Sequence, residues 1–111
     1  MDRSTLLAHL RKTHFAPGDR DQALADALAI ARFLRSAYDV RVIGVGSLFE
    51  RDRPFRERSD IDLVVRGLDA ERFYEASAKA AAMTDFELDI VPFEDANDYM
   101  REIAETRGVE L

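Results

Sequence analysis

The residue types and segments that the chain lacks exclude several classes of site and of protein. Its 111 residues contain no cysteine, which excludes a disulfide framework, a thiolate metal site and a cysteine nucleophile. No apolar run approaches the roughly 20 residues that a membrane-spanning helix requires. Residues 1–15 are broken by charges and contain no continuous apolar segment of the kind found in secretory signals. These absences predict a cytoplasmic protein that does not enter a membrane.

Excess positive charge is also missing. The chain has 22 acidic residues against 16 basic ones, which gives a formal net charge of −6 and a pI near 4.9. Proteins that hold nucleic acid by non-specific attraction normally have the opposite balance. The composition therefore argues against nucleic acid as a partner, although it does not exclude a local basic patch.

The length and the pattern predict one domain. A chain of 111 residues with 47% hydrophobic content can bury one core and has no room for a second. We expect a single domain over residues 1–111, with N-terminal helices in residues 1–38, a catalytic sheet in residues 39–93 and a C-terminal helix in residues 94–111.

Hydrophobic periodicity predicts helices that alternate in part with strands. The predicted helices are Ser4 to about His14, Asp19 or Asp21 to about Tyr38, Leu68 to Met83, and Asp95 or Asn97 to near Gly108. The predicted strands are Val40–Val45, Ile61–Val65 and Phe86–Val91. This order predicts an α/β (α+β) fold with a small mixed sheet of three to four strands flanked by helices, in which the first two strands can pair antiparallel.

Three aspartates occupy two of these strands. Asp60 and Asp62 begin the second strand, where residues two apart point to the same face, so that their charges repel. Asp89, between apolar neighbours in the third strand, is expected to be partly buried and to need a compensating charge. If the second and third strands are adjacent, one divalent metal site relieves all three acids. Carboxylates without histidine or cysteine beside them suit Mg²⁺ or Mn²⁺.

A Gly-Ser pair follows the first strand. Gly46 allows a close backbone approach, and the Ser47 hydroxyl and the amides after it can donate to phosphate oxygens if residues 48–51 form a helical turn. Magnesium held by few carboxylates usually completes its coordination with water and substrate phosphates. Acids, metal and a phosphate-binding turn together indicate nucleotidyl transfer, in which two ions can activate a hydroxyl and stabilise the leaving pyrophosphate.

Simpler interpretations exist for each motif taken alone. Aspartates often flank strands and cap turns, and a Gly-Ser pair often only ends a strand. The arginines of the connector alternate with acids, which is typical of a solvated loop. The combination of all three motifs at strand ends favours the site over these alternatives.

The motifs resemble those of a known superfamily. GS, twelve residues, then DID within SDIDLVV, and later LDIV, resemble the polymerase-β-type nucleotidyltransferases, and the short chain is most similar to the minimal nucleotidyltransferases of prokaryotes. The resemblance covers Val40 to about Phe93. It implies a polymerase-β-type palm and Mg²⁺-dependent transfer of AMP, or another nucleoside monophosphate, from ATP or another nucleoside triphosphate to a hydroxyl.

The resemblance also implies residue roles. Gly46 and Ser47 match the nucleotide-phosphate grip, Asp60 and Asp62 the metal-binding pair, and Asp89 the third acid, which also helps to deprotonate the acceptor. Many relatives carry an arginine three positions after the serine and then a glycine. Here Glu50 and Arg51 occupy those places, so that Arg51 is the nearest candidate for nucleotide binding.

The partners implied by the resemblance are proteins. Minimal nucleotidyltransferases are often encoded beside a small helical HEPN partner, which they neutralise as antitoxins, in some cases by adenylylating a tyrosine. The alternative is a weak or inactive binding subunit that neutralises its partner by contact alone. Transfer to a small molecule or RNA is a third choice, and a homo-oligomer remains open.

Overall fold

The computed structural model describes residues 19–50 and 60–111. In these residues three α-helices and a four-stranded sheet form a mixed α/β fold. The helices are α1 (Asp19–Tyr38), α2 (Phe73–Ala81) and α3 (Asp98–Thr106), and the strands are β1 (Arg41–Val45), β2 (Ile61–Arg66), β3 (Leu88–Pro92) and β4 (Val109–Glu110). The predicted helix over residues 4–14 and the connector at residues 51–59 lie outside the described residues.

The sheet has the strand order β3-β2-β1-β4. β1 pairs with β2 and with β4 in antiparallel orientation, and β2 pairs with β3 in parallel. The predicted mixed sheet is therefore confirmed. The first two strands pair antiparallel, as the short connection allows, and the second and third strands are adjacent, which is the condition for a shared metal site. The parallel pair is connected through α2, as a parallel connection requires a long crossover.

The larger core lies between the sheet and the helices α1 and α2. α1 contributes three alanines and three larger side chains, and alternate residues of β2 meet them because a strand's side chains alternate between faces. The buried members of these two elements are Ala23, Ala27, Ile30, Ala31, Leu34, Tyr38, Ile61, Leu63 and Val65.

A smaller cluster lies on the opposite face, under α3. It contains residues of β1 and β2 that face this side, Phe93 of the short 3-10 turn after β3, and two residues of the helix: Ile43, Val45, Val64, Phe93, Ile103 and Ala104. Asn97 begins the helix as its cap, since its side chain accepts a hydrogen bond of 2.8 Å from the Met100 amide. The prediction of Asn97 as one of two possible starts is thereby confirmed.

The fourth strand is short. β4 follows Gly108 and pairs Glu110 with Ile43, and the Leu111 amide donates to the Val42 carbonyl at 2.9 Å. The Arg41 and Glu110 side chains form an ion pair across this edge. Consequently β1 and β2 are the central strands, and β3 is left as the other edge of the sheet. Within the described residues no helix has both the length and the apolar character needed to cross a membrane.

Candidate functional site

The central feature of the site is a pair of carboxylates on neighbouring strands. Asp62 of β2 and Asp89 of β3 are register partners in the parallel pair. Register partners on adjacent strands point to the same face of a sheet, here the face of Val64 and α3. Two negatively charged side chains are thus neighbours on one face, as the sequence predicted for acids of the second and third strands.

The Gly-Ser pair reaches the same end of the sheet. Val45, the last residue of β1, is the register partner of Asp62, and Gly46 and Ser47 follow it directly. The end of β1 and the beginnings of β2 and β3 therefore meet at one end of the sheet. The structure brings Gly46, Ser47, Asp62 and Asp89 to this end.

Gly46 begins a tight turn. Its φ is +86°, in the left-handed region that favours glycine. Its carbonyl accepts hydrogen bonds of 3.1 Å from the amides of both Phe49 and Glu50. The predicted helical turn after the strand is therefore present as far as Glu50, while Arg51 lies outside the described residues.

Ser47 is almost completely buried, with 3% of its surface exposed. Its hydroxyl has no hydrogen-bond partner among residues 19–50 and 60–111. A buried polar group without a partner costs about 1–3 kcal/mol, so such groups usually have a reason to persist. A phosphate oxygen is an acceptor that would satisfy this hydroxyl.

Arg20, which was not predicted from the sequence as a site residue, forms hydrogen bonds to the main chain of the turn. The Arg20 guanidinium donates to the Ser47 carbonyl at 2.6 Å and to the Leu48 carbonyl at 2.9 Å. Arg20 lies in the first turn of α1, so that it reaches the site only because α1 packs across the sheet. No local pattern relates it to the Gly-Ser pair. The available signal was a cation at a helix start, where acids are the usual residues.

Asp60 differs from the prediction. β2 begins one residue after it, so the rule of alternating faces does not extend to Asp60. The Glu87 carbonyl accepts from the amides of both Asp60 and Ile61 at 3.1 and 3.0 Å, and the Asp60 carboxylate accepts from the Glu87 amide at 3.1 Å. Asp60, with 2% of its surface exposed, therefore ties the start of β2 to the segment before β3.

Asp89 also differs from the prediction in one respect. Its side chain is exposed, whereas its apolar neighbours had indicated partial burial. The reason is its position on β3, which forms an edge of the sheet. The expected partial burial of Asp89 is therefore wrong, and its candidacy as a metal ligand rests on its position beside Asp62.

The acids provide a partial fit to a divalent cation. In the part of the chain that the structure describes, no three acidic, histidine or cysteine side chains converge closely enough to hold a metal ion. Two neighbouring carboxylates nevertheless match the way in which Mg²⁺ is commonly bound, through one or two carboxylates together with substrate phosphates. The oxygen-only donor set of Asp62 and Asp89 fits Mg²⁺ or Mn²⁺ on that basis.

A groove of about 270 Å³ lies between α1 and the loop before β3. Its lining does not include Asp62 or Asp89. A hydrogen bond of 2.7 Å from the Thr84 hydroxyl to Asp26 crosses it. The residues that line it are Asp19, Gln22, Asp26, Ala82, Met83, Thr84, Asp85 and Phe86.

Comparison of the chain with protein families, with characterised proteins and with solved structures finds no match.

Proposed function

We propose that this protein is a Mg²⁺- or Mn²⁺-dependent nucleotidyltransferase with a polymerase-β-type palm. It would transfer AMP, or another nucleoside monophosphate, from a nucleoside triphosphate to a hydroxyl group. The observation that carries the proposal is the register pairing of Asp62 with Asp89 beside the Gly46–Ser47 turn. An acidic pair and a glycine turn with hydrogen-bond donors at one end of the sheet would suit binding of a metal–triphosphate complex.

Each residue has a distinct role in this proposal. Asp62 and Asp89 would hold the metal. The bond from the Glu87 amide to Asp60 fixes the start of β2 against the segment before β3, which keeps the register that makes Asp62 and Asp89 neighbours. Gly46 and Ser47 would bind the triphosphate, with Arg51 as the nearest candidate for an added positive charge.

The reaction follows from these roles. A bound divalent ion would neutralise phosphate charge and make the acceptor hydroxyl more acidic. The hydroxyl oxygen forms a bond to the α-phosphorus, the bond from that phosphorus to the β-phosphate oxygen breaks, and pyrophosphate leaves. Asp89 would accept the hydroxyl proton, and its exposure on the edge strand suits it to meet an incoming acceptor.

The proposed acceptor is a protein. The family resemblance implies a small helical HEPN-type partner, neutralised by this protein as the antitoxin of a toxin–antitoxin pair. Such a partner would bring its own hydroxyl to Asp89, whose side chain is exposed.

A second candidate is a binding subunit that neutralises its partner by contact alone. One observation favours it: one carboxylate oxygen of Asp60 is engaged with the main chain. Glu50, at the place where many relatives have arginine, adds a negative charge beside the turn. This candidate predicts that the acids can be neutralised without loss of partner binding.

Labelled nucleotide separates the two candidates. The protein is incubated with Mg²⁺, the product of the adjacent gene, and ATP labelled either at the α- or at the γ-phosphate. Transfer predicts that α-label, and not γ-label, enters the partner protein, and that Asp62→Asn/Asp89→Asn abolishes it. The matched control is Glu71→Gln/Glu105→Gln, which removes two charges from exposed positions.

The outcomes are distinct. If the α-label enters RNA or a small molecule in place of the protein, the proposed transfer reaction stands and the proposed acceptor is wrong. Absence of α-label transfer with every nucleoside triphosphate and every acceptor, together with full neutralisation by Asp62→Asn/Asp89→Asn, would refute the enzyme and favour the binding subunit.

A further inference from the structure

Arg20 is the most unusual contact of the turn after β1. It lies in the first turn of α1, yet it reaches main-chain carbonyls 27 and 28 residues away, at Ser47 and Leu48. The contact is partly buried, and both bonds come from the same guanidinium nitrogen. A charged donor held by two neutral carbonyls has no carboxylate partner in these bonds, so its positive charge remains at the site.

The bonds fix the orientation of the peptide groups in the turn. The carbonyls of Ser47 and Leu48 accept from Arg20, and the Gly46 carbonyl accepts from Phe49 and Glu50. In a trans peptide the carbonyl and the next amide N–H point in opposite directions. Drawing the Ser47 carbonyl toward Arg20 therefore turns the Leu48 N–H away from Arg20.

The contact is not explained by stability alone. The Nε of Arg20 is buried and has no hydrogen-bond partner in residues 19–50 and 60–111, and the hydroxyl of Ser47 beside it shares that condition. Two buried donors without partners at one turn are a cost to folding. An anion at the turn would satisfy such donors and would be attracted by the guanidinium charge.

We propose that Arg20 is the positioning residue of the phosphate-binding turn. It holds Ser47 and Leu48 in the conformation that presents their donors to a triphosphate, and it supplies the positive charge that Glu50 does not. The inference rests on the proposed function, because the phosphates are those of the nucleoside triphosphate. The predicted contribution is to the phosphates and not to the nucleoside.

The test compares two nucleotides and three variants. Calorimetry measures the Kd of ATP and of AMP, each with Mg²⁺, for the wild type, Arg20→Met, Arg20→Lys and the control Arg32→Met, which removes an exposed arginine of the same helix. Arg20→Met is expected to raise the Kd for ATP by about tenfold or more, which corresponds to the loss of one charge-assisted interaction. The Kd for AMP should change much less, Arg20→Lys should restore part of the ATP affinity, and Arg32→Met should resemble the wild type.

Amide hydrogen exchange at Phe49 and Glu50 tests the positioning without nucleotide. Exchange should accelerate in Arg20→Met and not in Arg32→Met. If Arg20→Met does not fold, Arg20→Lys replaces it, and its exchange should accelerate by a smaller factor. Unchanged amide exchange in Arg20→Met, or an equal rise in its Kd for AMP and for ATP, would overturn the role of Arg20. Nucleotide binding by the wild type would in that case still support the proposed function. A wild type that binds no nucleotide would refute the proposed function and the phosphate role of Arg20 together.

Discussion

Asp62 and Asp89 are held side by side by the parallel register of β2 and β3, so that two like charges face each other across a strand pair. Like charges directly opposite in a sheet are destabilising. In this arrangement both carboxylates can contribute oxygen ligands to one divalent cation. The function proposed for this chain therefore begins from this pair and not from the adjacent acids of the sequence.

Neutralising one member of the pair should stabilise the metal-free protein. Asp89→Asn is expected to gain about 0.2–1 kcal/mol because it removes the cross-strand repulsion. Millimolar Mg²⁺ or Mn²⁺ should raise the Tm of the wild type and leave Asp89→Asn nearly unchanged, since ligand binding to the folded state stabilises it. Thermal unfolding with EDTA and with metal checks both effects. An equal metal response in Asp89→Asn would contradict the pairing.

Asp60 should respond differently, because its carboxylate accepts a hydrogen bond from the Glu87 amide. Asp60→Ala is expected to lose about 1–3 kcal/mol of unfolding free energy, since it leaves that amide without its acceptor. Asp60→Asn retains a side-chain oxygen and should lose less. Denaturant unfolding of the two variants measures the difference. Equal losses would show that the bond to Glu87 does not stabilise the fold.

Gly46 should be required for the conformation of the turn. Its φ of +86° makes Gly46→Ala costly by about 1–2 kcal/mol. Gly67, with a φ of +94° and open space around it, is a matched control outside the site. Both variants should lose comparable stability in denaturant unfolding, but only Gly46→Ala should weaken nucleotide binding. Equal weakening by Gly67→Ala would indicate a global effect.

The turn also depends on a contact with the strand before it. A Cβ built at Gly44 would lie 2.5 Å from the ring of Phe49, so Gly44→Ala must displace that ring. The expected cost is about 1–3 kcal/mol, typical of overpacking a core. The double variant Gly44→Ala/Phe49→Leu should recover part of the lost unfolding free energy. No recovery would mean that another neighbour limits the space at Gly44.

Sequence reasoning succeeded where one element determines its own pattern. α1, β1 and β2 follow from runs of apolar residues at helical or strand spacing, and the observed bounds are within a few residues of the predicted ones. Leu28 shows the limit of that reasoning. The helical period places it with the apolar residues of α1, but it is exposed, because the buried face of the helix is centred on Ala27, Ile30 and Leu34.

Contacts between elements distant in the sequence were harder to predict. β4 is too short to show a period, and its pairing depends on β1. The exposure of Asp89 depends on which strand forms the sheet edge. The bond from the Glu87 amide to Asp60 depends on where β2 begins, and the reach of Arg20 depends on how α1 crosses the sheet. Each of these requires the assembled fold, since a local pattern contains no information on the partner.

The most direct measurement of the central claim is Mn²⁺ binding at the Asp62–Asp89 pair. Electron paramagnetic resonance follows Mn²⁺ bound to the protein, first alone and then with a non-hydrolysable ATP analogue. The account predicts that the analogue tightens Mn²⁺ binding and that Asp62→Asn and Asp89→Asn each weaken it by about tenfold or more, while Glu71→Gln/Glu105→Gln binds like the wild type. Binding that is equally tight in all four proteins, or a wild type that binds no Mn²⁺ with or without the analogue, would contradict it.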